Sequence, residues 1–511
     1  MAKEANYVSA RYVSCFFALL TIIGVYLFCY RELNQRIAFL ASGLLATSPY
    51  FLAFSKVGMT EGDIFLSCAI TWFMVGLGYW TKKPNLGRTV LVGVAAGVTV
   101  STKIVAAVLV PALLPIIVLG RYSKPFNGNK QTLLLTAFVS AGLIFLVYGF
   151  FISGAPHVAV LNKYYDRLPL WKKTLHYAAV IVPWLCLVLG GVIYKNKKPH
   201  PLLAIVLIFS ASLLTFFAIP PAHTTNGSLL QGIYREFARN SDGLSGMVIY
   251  SAAGLNALSL IIKSGPAIGI FFIISLISAF FQLPKNRILL IPIIFILVYP
   301  AFLTVSGRAQ TFYMLAVLPQ FTLLAALLLN QIYEKSKQSA YILLALFAAN
   351  IAYDIKTTYP DYHLNGYQYI GERYIAGRSS VGYKGIVQTP SDGTEQVIDW
   401  ALENIPPGKR VISYLRYRLM ISRLGPGSHP PFHVRNGLDK RWDISQGDYV
   451  LVHFNYMVDI NYIRKDSRPS IYNYLFDMEE LQRDFEKVFI VKRAFGIEVA
   501  SVWKRKKAFS D

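Results

Sequence analysis

The sequence predicts a polytopic α-helical membrane protein with about 12 membrane segments and a small C-terminal α/β domain outside the cytoplasm. Two observations predict this class. Of the 511 residues, 54% are hydrophobic and only 15% are charged, and the apolar residues form long runs that a soluble domain could not bury. After residue 354 the composition becomes polar and mixed, as expected of a domain with its own core.

The apolar segments follow one another along the first 353 residues, and most have the roughly 20 residues that a helix needs to cross a bilayer. The fourth and fifth are short and are interrupted at Lys103, which predicts a broken or partly re-entrant hairpin. We therefore expect a transmembrane domain at 1–353, a linker at 354–392 and an α/β domain at 393–511. The segments lie at 12–30, 38–55, 64–80, 89–102, 104–120, 131–152, 176–194, 201–219, 265–283, 288–304, 312–332 and 339–353.

The charge distribution predicts the orientation of these segments. The chain has 50 Lys and Arg against 27 Asp and Glu, and 27 of the basic residues but only 8 of the acidic ones precede residue 354. Most basic loops alternate along the chain, and the positive-inside rule makes their side cytoplasmic. We expect a multi-pass protein of the plasma or inner membrane with an extracytoplasmic C-terminal domain. The excess positive charge is then a topology signal, and no nucleic-acid partner is expected.

The stretch 45–65, LATSPYFLAFSKVGMTEGDIF, ends one segment and begins the next, and it contains Glu61 and Asp63. Ionisable residues at membrane depth are costly, so two carboxylates where two segments meet are candidate catalytic residues. The alternative interpretation is that they only cap the following helix, whose first turn favours acidic side chains. Few other acids are predicted on the outer face, and acid-base or metal chemistry there has to use these or the tail.

Three side chains are candidate contacts for the phosphate of a lipid. Lys103 interrupts an apolar hairpin, where a lysine needs a partner. Arg308 and Tyr313 flank a predicted outer turn, and a guanidinium binds phosphate bidentately. For this last pair the alternative is a snorkelling Arg beside a Tyr of the aromatic belt.

The long predicted outer loop at 220–264 adds two candidates for binding substrate. An interfacial helix is expected at 229–238, where Arg235 would reach lipid phosphate. His223 lies in the same loop, although a lone loop histidine is more often solvated or hydrogen-bonded than a ligand.

The tail has alternating helix and strand patterns. Helices are expected at 395–404 and 471–485, and strands at 408–415, 449–454, 488–492 and 498–504. It contains no GxGxxG, P-loop or HExxH motif, so its pattern supports binding or substrate positioning and nothing more specific. The four cysteines of the chain all lie in apolar segments, which makes a disulfide framework or a Cys-based zinc site unexpected.

Taken in order, these features resemble C-type glycosyltransferases (GT-C) of the protein O-mannosyltransferase and lipid A aminoarabinose transferase kind. The block 11–65 shows an Arg opening one span, a basic turn, a span ending in LLATSP and an outer turn closing on Asp63. The similarity continues with GVAAGVTVSTK at 93–103 and RAQTFYMLAVLPQFTLLA at 308–325. The segment 374–392 looks like the linker that opens the outer domain in bacterial members.

The resemblance implies a GT-C-like fold with an outward active site. There a sugar passes from a polyprenyl-phosphate carrier to an acceptor, usually with inversion. A carboxylate acts as base on the acceptor hydroxyl, and basic groups or a divalent metal hold the departing lipid phosphate. Asp63 matches the second acid of the family, near the donor phosphate or a metal, while Glu61 has no role that the resemblance defines. No nucleotide cofactor is expected, because the donor arrives in the membrane.

One departure from the family concerns its principal catalytic Asp, which lies in the first outer loop after a first helix. This sequence begins where that loop should be finishing, so we expect the first helix and first outer loop to be absent from it. A misassigned start, a partner that supplies the loop, and a non-catalytic relative all remain open.

Three functions therefore remain in view. The first is a membrane glycosyltransferase that moves a mannose-like hexose or related sugar to a protein, lipid or glycan acceptor on the outer face, among membrane lipids. The second is a catalytically inactive or fragmentary relative that acts as a scaffold. The third is a transporter or flippase for lipid-linked sugars, which predicts polar residues along the depth of several helices. The predicted charges gather at the outer rim, which favours the first. The oligomeric state is left open.

Overall fold

The computed structural model describes nine of the 12 predicted apolar segments almost completely and a tenth, 176–194, in part, together with a sheet in the tail. By contact the chain divides into two units, one with residues 14–55 and 59–349 and the other with 1–13, 56–58 and 350–511. The predicted segments at 104–120 and 131–152 lie outside the described residues. The described ranges are 2–56, 63–82, 84–102, 181–190, 201–218, 246–305, 313–359, 367–370, 393–415, 430–436, 444–453, 478–496 and 498–506, with single residues at 106, 109, 174 and 192.

Helices dominate the described residues up to 358. Five of these described helices are long and apolar enough to cross a membrane, or six if the bent pair α2 and α3 is one span. Shorter apolar helices accompany these, and the predicted count of 12 spans is not confirmed among the described residues. The helices are α1 (Ala2–Glu32), α2 (Gln35–Thr47), α3 (Pro49–Lys56), α4 (Asp63–Lys82), α5 (Leu86–Thr102), α6 (Pro201–Ala218), α7 (Gly246–Lys263), α8 (Pro266–Gln282), α9 (Leu290–Val305), α10 (Leu318–Lys335) and α11 (Lys337–Thr358), with a 3₁₀ helix at Tyr313–Val317.

The outer surface of these helices is apolar, as an integral membrane protein requires. On α8, Ile270, Ile274, Ile277 and Phe281 are exposed at helical spacing. A water-soluble protein rarely exposes such a contiguous stripe, whereas lipid chains solvate it at no cost. The helix α10 is largely buried and α11 largely exposed, which places α10 inside the helix packing and α11 at its edge.

The break between α2 and α3 is encoded by the dipeptide Ser48-Pro49. Pro49 cannot donate a backbone hydrogen bond to α2, and its ring disfavours a helical conformation at the preceding residue. Ser48 accordingly has an extended backbone. Its Oγ accepts a hydrogen bond from the backbone N–H of Phe51, with 3.5 Å between oxygen and nitrogen, and this bond caps α3. The two helices meet at 62°, and this bend fixes the direction of α3, which carries Tyr50.

The predicted loop at 220–264 is wrong over its last part, because Gly246–Lys263 is a helix. Small and polar residues such as Ser251 and Asn256 interrupt its apolar run, which hid the helical pattern. Its neighbour α8 packs close to it, and a Cβ atom added to Gly269 would lie 2.3 Å from the Cα of Ile261. The predicted interfacial helix at 229–238 lies outside the described residues.

Basic side chains meet where α1 and α4 end and α5 begins, at the opposite end of α4 from Asp63. The Lys82 ammonium lies 3.3 Å from the Glu32 carboxylate, and the Arg31 and Arg88 guanidinium groups lie 4.0 and 3.8 Å from the centre of the Tyr79 ring. These contacts join the predicted basic loops after α1 and after α4 at one end of the helices.

A five-stranded mixed sheet forms the core of the C-terminal domain, so the predicted α/β tail is present. Its order is β2-β1-β3-β5-β4, with β1 parallel to β2 and β3 and with β5 antiparallel to β3 and β4. The sequence analysis missed the short strand β2. The elements are α12 (Tyr367–Ile370), α13 (Thr394–Asn404), β1 (Arg410–Ser413), β2 (His433–Asn436), β3 (Tyr449–His453), α14 (Met478–Asp484), β4 (Phe485–Lys492) and β5 (Glu498–Arg505).

The backbone conformation of Phe495, in the turn between β4 and β5, predicts a stabilising substitution. Phe495 has φ 62° and is followed by Gly496 with φ 72°, and the left-handed region is costly for a bulky residue but tolerated by asparagine. We expect Phe495→Asn to raise the free energy of unfolding of the C-terminal domain by about 0.5–1 kcal/mol. Unfolding of the full chain followed by tryptophan fluorescence, to which the buried Trp503 contributes, measures it. Phe495→Ala is the control, because it removes the same ring without easing the backbone; equal stabilisation by both would contradict the explanation.

Candidate functional site

Asp63 is a buried carboxylate at the start of a membrane helix. It is the first residue of α4 and only 1% exposed. The helix dipole stabilises an acid in this position, as the capping interpretation requires. However, a residue that only caps a helix has no need to be withdrawn from solvent, because burying a carboxylate is costly. The burial therefore favours a functional interpretation over a plain cap.

Three buried tyrosines accompany Asp63. Tyr50 on α3 and Tyr299 on α9 are 0% exposed, and Tyr313 at the start of the 3₁₀ helix is 5% exposed. Tyr299 interacts electrostatically with Asp63, with Tyr313 and with Tyr50. We call these four residues the Asp63 cluster. It is a carboxylate among phenolic hydroxyls, and it offers both hydrogen-bond acceptors and donors.

The cluster joins two parts of the chain that are far apart in sequence. The 3₁₀ helix Tyr313–Val317 packs against α4, and all five of its residues are buried. Pro319 then lies in the first turn of α10, where its missing N–H costs nothing. On the other side, Pro49 begins α3 and sets the position of Tyr50. The two segments that carry the family resemblance, 11–65 and 308–325, therefore meet at this cluster through their described residues.

Further buried polar groups line the same helices. The Ser67 hydroxyl and the side-chain amide of Gln320 are buried, and neither has a hydrogen-bond partner among the described residues. Ser67 follows Asp63 by four residues on α4 and so lies on the same helix face. Buried polar atoms without partners are rare in proteins and call for a ligand, an ion or water.

Asp354 is a second buried acid, and its role is structural. It lies near the end of α11, is 0% exposed, and accepts hydrogen bonds from the Tyr369 hydroxyl, from Gln368 Nε2 at 2.9 Å and from Asn350 Nδ2 at 3.2 Å. Burial raises the pKa of Tyr369, and the hydrogen bond to the Asp354 carboxylate raises it further. These bonds attach α12 to the end of α11, which is a structural role that the sequence analysis missed.

The structure tests only part of the predicted site. Of the seven predicted residues, Asp63 and Tyr313 are described and lie in one cluster. Tyr313 is buried by protein, which argues against the alternative of a lipid-facing belt tyrosine. The others lie outside the described residues and stay predictions; they are Glu61, Lys103, Arg235, His223 and Arg308.

Two members of the Asp63 cluster, Tyr50 and Tyr299, were not predicted. Both lie inside apolar segments and close to their ends, where tyrosines of the aromatic belt are also common. Without the packing of α3, α4 and α9 nothing in the sequence distinguishes a tyrosine that faces lipid from one that faces a carboxylate.

The described residues do not form a site for a divalent cation. No three His, Cys, Asp or Glu side chains come together among them, and the phenolic hydroxyls around Asp63 are not the ligands that Mg²⁺, Ca²⁺ or Zn²⁺ prefers. A metal at Asp63 stays a prediction that depends on ligands beyond the described residues.

Comparison with known proteins supports the resemblance seen in the motifs. The sequence profile of the dolichyl-phosphate-mannose-protein mannosyltransferase family matches residues 3–148. This is less than a third of the chain, and it includes α1 to α5 with Asp63. The resemblance to this family of membrane glycosyltransferases is thereby confirmed over that part. No curated protein sequence matches the chain.

Among solved structures, the chain is similar to the archaeal oligosaccharyltransferase AglB from Archaeoglobus fulgidus. In its complex with an inhibitory peptide and a dolichol-phosphate it has 13% sequence identity and a TM-score of 0.43, covering 98% of this chain and 64% of that one. The complex of the A. fulgidus enzyme with Zn and sulfate has 14% sequence identity and a TM-score of 0.41, covering 88% of this chain and 57% of that one. This chain thus spans less than two thirds of those proteins.

Proposed function

We propose that this protein is an integral membrane glycosyltransferase that moves a mannose-like hexose from a polyprenyl-phosphate carrier to a hydroxyl-bearing acceptor, with a protein as the first acceptor to test. The observation that carries the proposal is the Asp63 cluster. A carboxylate withdrawn from solvent lies where the two segments of family resemblance meet, and the family profile covers that carboxylate.

The proposed reaction needs few groups. The acceptor oxygen attacks the anomeric carbon of the sugar, the bond from that carbon to the phosphate oxygen breaks, and the lipid phosphate leaves with the bonding electrons. Asp63 accepts a hydrogen bond from the acceptor hydroxyl and takes up its proton as the new bond forms. Lys103 and Arg308 are the candidate cations for the phosphate, whose negative charge grows in the transition state.

The membrane arrangement completes the proposal. The lipid carrier presents its phosphate at the membrane surface, so a site at the helix ends opposite the basic loops is accessible to it. We place this site and the residues after 358 on the outer side, because the basic loops favour the cytoplasm. In this arrangement 1–353 is the catalytic membrane domain and 393–511 is available for positioning the acceptor, with 354–392 as the linker.

A transfer assay with the full chain in proteoliposomes tests this function. The donors are radiolabelled mannosyl-phosphoryl-dolichol and mannosyl-phosphoryl-undecaprenol, compared with GDP-mannose, and the acceptor is a serine- and threonine-rich peptide. We expect label in the peptide from the lipid donors only. Transfer from GDP-mannose in lipid-free detergent would contradict a lipid-phosphate donor. A lack of transfer from any donor to peptide or membrane lipid, in protein that is folded by thermal unfolding, would favour the scaffold.

A further inference from the structure

The hydroxyl of Tyr299 is a buried hydrogen-bond donor. Tyr299 is 0% exposed on α9, and its hydroxyl oxygen has no hydrogen-bond partner among the residues that the structure describes. A phenylalanine would fill the same space without a polar atom to bury. The hydroxyl is therefore expected to be satisfied by something that enters the site, since an unsatisfied buried polar group destabilises the folded state.

The neighbours of this hydroxyl define what can bind it. Tyr299 lies on α9, which packs against α4, the helix that begins at Asp63, and the two side chains are within electrostatic reach of each other. An ionised carboxylate is a hydrogen-bond acceptor only, whereas a phenol donates. A phosphate oxygen beside Asp63 would face a like charge, which is unfavourable. We therefore place the donor phosphate away from this carboxylate, which departs from the position near the donor phosphate that the family resemblance implies for Asp63. An alcohol suits both groups, because its proton goes to the carboxylate while its oxygen accepts from the phenol.

We propose that Tyr299 binds the acceptor hydroxyl directly, donating a hydrogen bond to its oxygen while Asp63 accepts its proton. The inference rests on the proposed glycosyltransferase function and assigns to it a substrate contact. Held in this way, the acceptor keeps one lone pair for attack on the sugar, and its orientation is fixed before the reaction begins. Tyr299 thus contributes to binding of the acceptor, whereas other residues bind the lipid donor.

The position of Tyr299 in the fold supports this role. The helix α9 also contacts α4 through the rings of Phe73 and Phe295, which stack with their centres 5.4 Å apart. This apolar contact holds the two helices together beyond the cluster, so that Tyr299 and Asp63 are presented by packed elements and not by a loop. The buried Ser67 hydroxyl, one turn along α4, offers a second polar group for the acceptor chain.

The variant Tyr299→Phe tests the inference in the proteoliposome assay. We expect the KM for the peptide acceptor to rise about tenfold, the equivalent of one hydrogen bond, with the KM for the lipid donor unchanged. The thermal unfolding midpoint without substrate should stay the same or rise, because the variant removes a hydroxyl that has no hydrogen-bond partner within the described part of the chain. Tyr30→Phe, at an exposed tyrosine of α1, is the matched control and should change neither constant.

Three results would overturn the inference. An unchanged acceptor KM would show that the hydroxyl does not touch the acceptor, and a raised donor KM alone would move the contact to the lipid phosphate or the sugar. A lowered unfolding midpoint would show a hydrogen bond within the protein. If the unmodified protein transfers sugar, any of these results overturns the role of Tyr299 alone. Folded unmodified protein without transfer overturns the proposed function, and the role of Tyr299 with it.

Discussion

Asp63→Asn should lower sugar transfer by at least about 100-fold, the usual contribution of a positioned acid or base. The amide has nearly the shape of the carboxylate, but it is not a base and carries no charge. Because Asp63 is buried at the N-terminus of α4, the amide still fits and loses only part of the interaction with the helix dipole. Initial rates of transfer from the lipid donor to the peptide measure the effect, beside the thermal unfolding midpoint.

The matched control for this prediction is Glu32→Gln. The side chain of Glu32 is only 4% exposed and lies 3.3 Å from Lys82, so it is also a nearly buried carboxylate on a membrane helix, but at the other helix ends. We expect this variant to keep most of its transfer rate. Equal losses of transfer rate in the two variants would mean that a buried acid affects transfer only through folding. An Asp63→Asn variant with a normal transfer rate would show that Asp63 only caps the helix.

Gly97→Leu should force α5 away from α6 and strongly destabilise the folded protein. A Cβ atom at Gly97 would lie 2.5 Å from the backbone oxygen of Ser212 and 2.6 Å from the Cβ of Thr215. One turn earlier, a Cβ at Gly93 would lie 2.6 Å from the backbone oxygen of Ile208. Neither backbone oxygen can move without separating the helices. We expect a loss of about 3 kcal/mol or more, at the upper end for overpacking.

The yield of monodisperse protein after detergent extraction and its unfolding midpoint measure this loss. Gly43→Leu is the control, because Gly43 on α2 is exposed and a Cβ there meets nothing within 4 Å. Leucine is a better helix former than glycine, so Gly43→Leu should be neutral or stabilising. A Gly97→Leu protein that is as stable as the unmodified chain would show that α5 and α6 pack less closely than described.

This close approach also gives a physical reason for one of the motifs behind the resemblance. The segment 93–103 contains Gly93 and Gly97, which are four residues apart on one face of α5. Small residues at this spacing let two membrane helices approach until their backbones are in contact. The sequence alone predicted a short apolar segment here, interrupted at Lys103, but it could not identify α6 as the packing partner.

The helical character of the chain and the position of Asp63 were predictable from sequence, since long apolar runs and rare acids are strong signals. The α/β tail was also predictable in outline from its alternating patterns. Tyr50 and Tyr299 were not, because a tyrosine near the end of an apolar segment has two common explanations. The helix Gly246–Lys263 and the four-residue strand β2 were missed for a related reason. Polar residues interrupt the first, and the second is too short for a clear alternation.

Crosslinking tests most directly whether the reaction takes place at the Asp63 cluster. A polyprenyl-phosphate sugar with a photoreactive group on the sugar is bound to the full chain in proteoliposomes, irradiated, and the modified peptides are identified by mass spectrometry. We predict labelled peptides from α3, from the start of α4 and from the 3₁₀ helix Tyr313–Val317, and loss of label with excess unmodified lipid donor. Label confined to the opposite helix ends, around Arg31 and Lys82, would contradict the assignment.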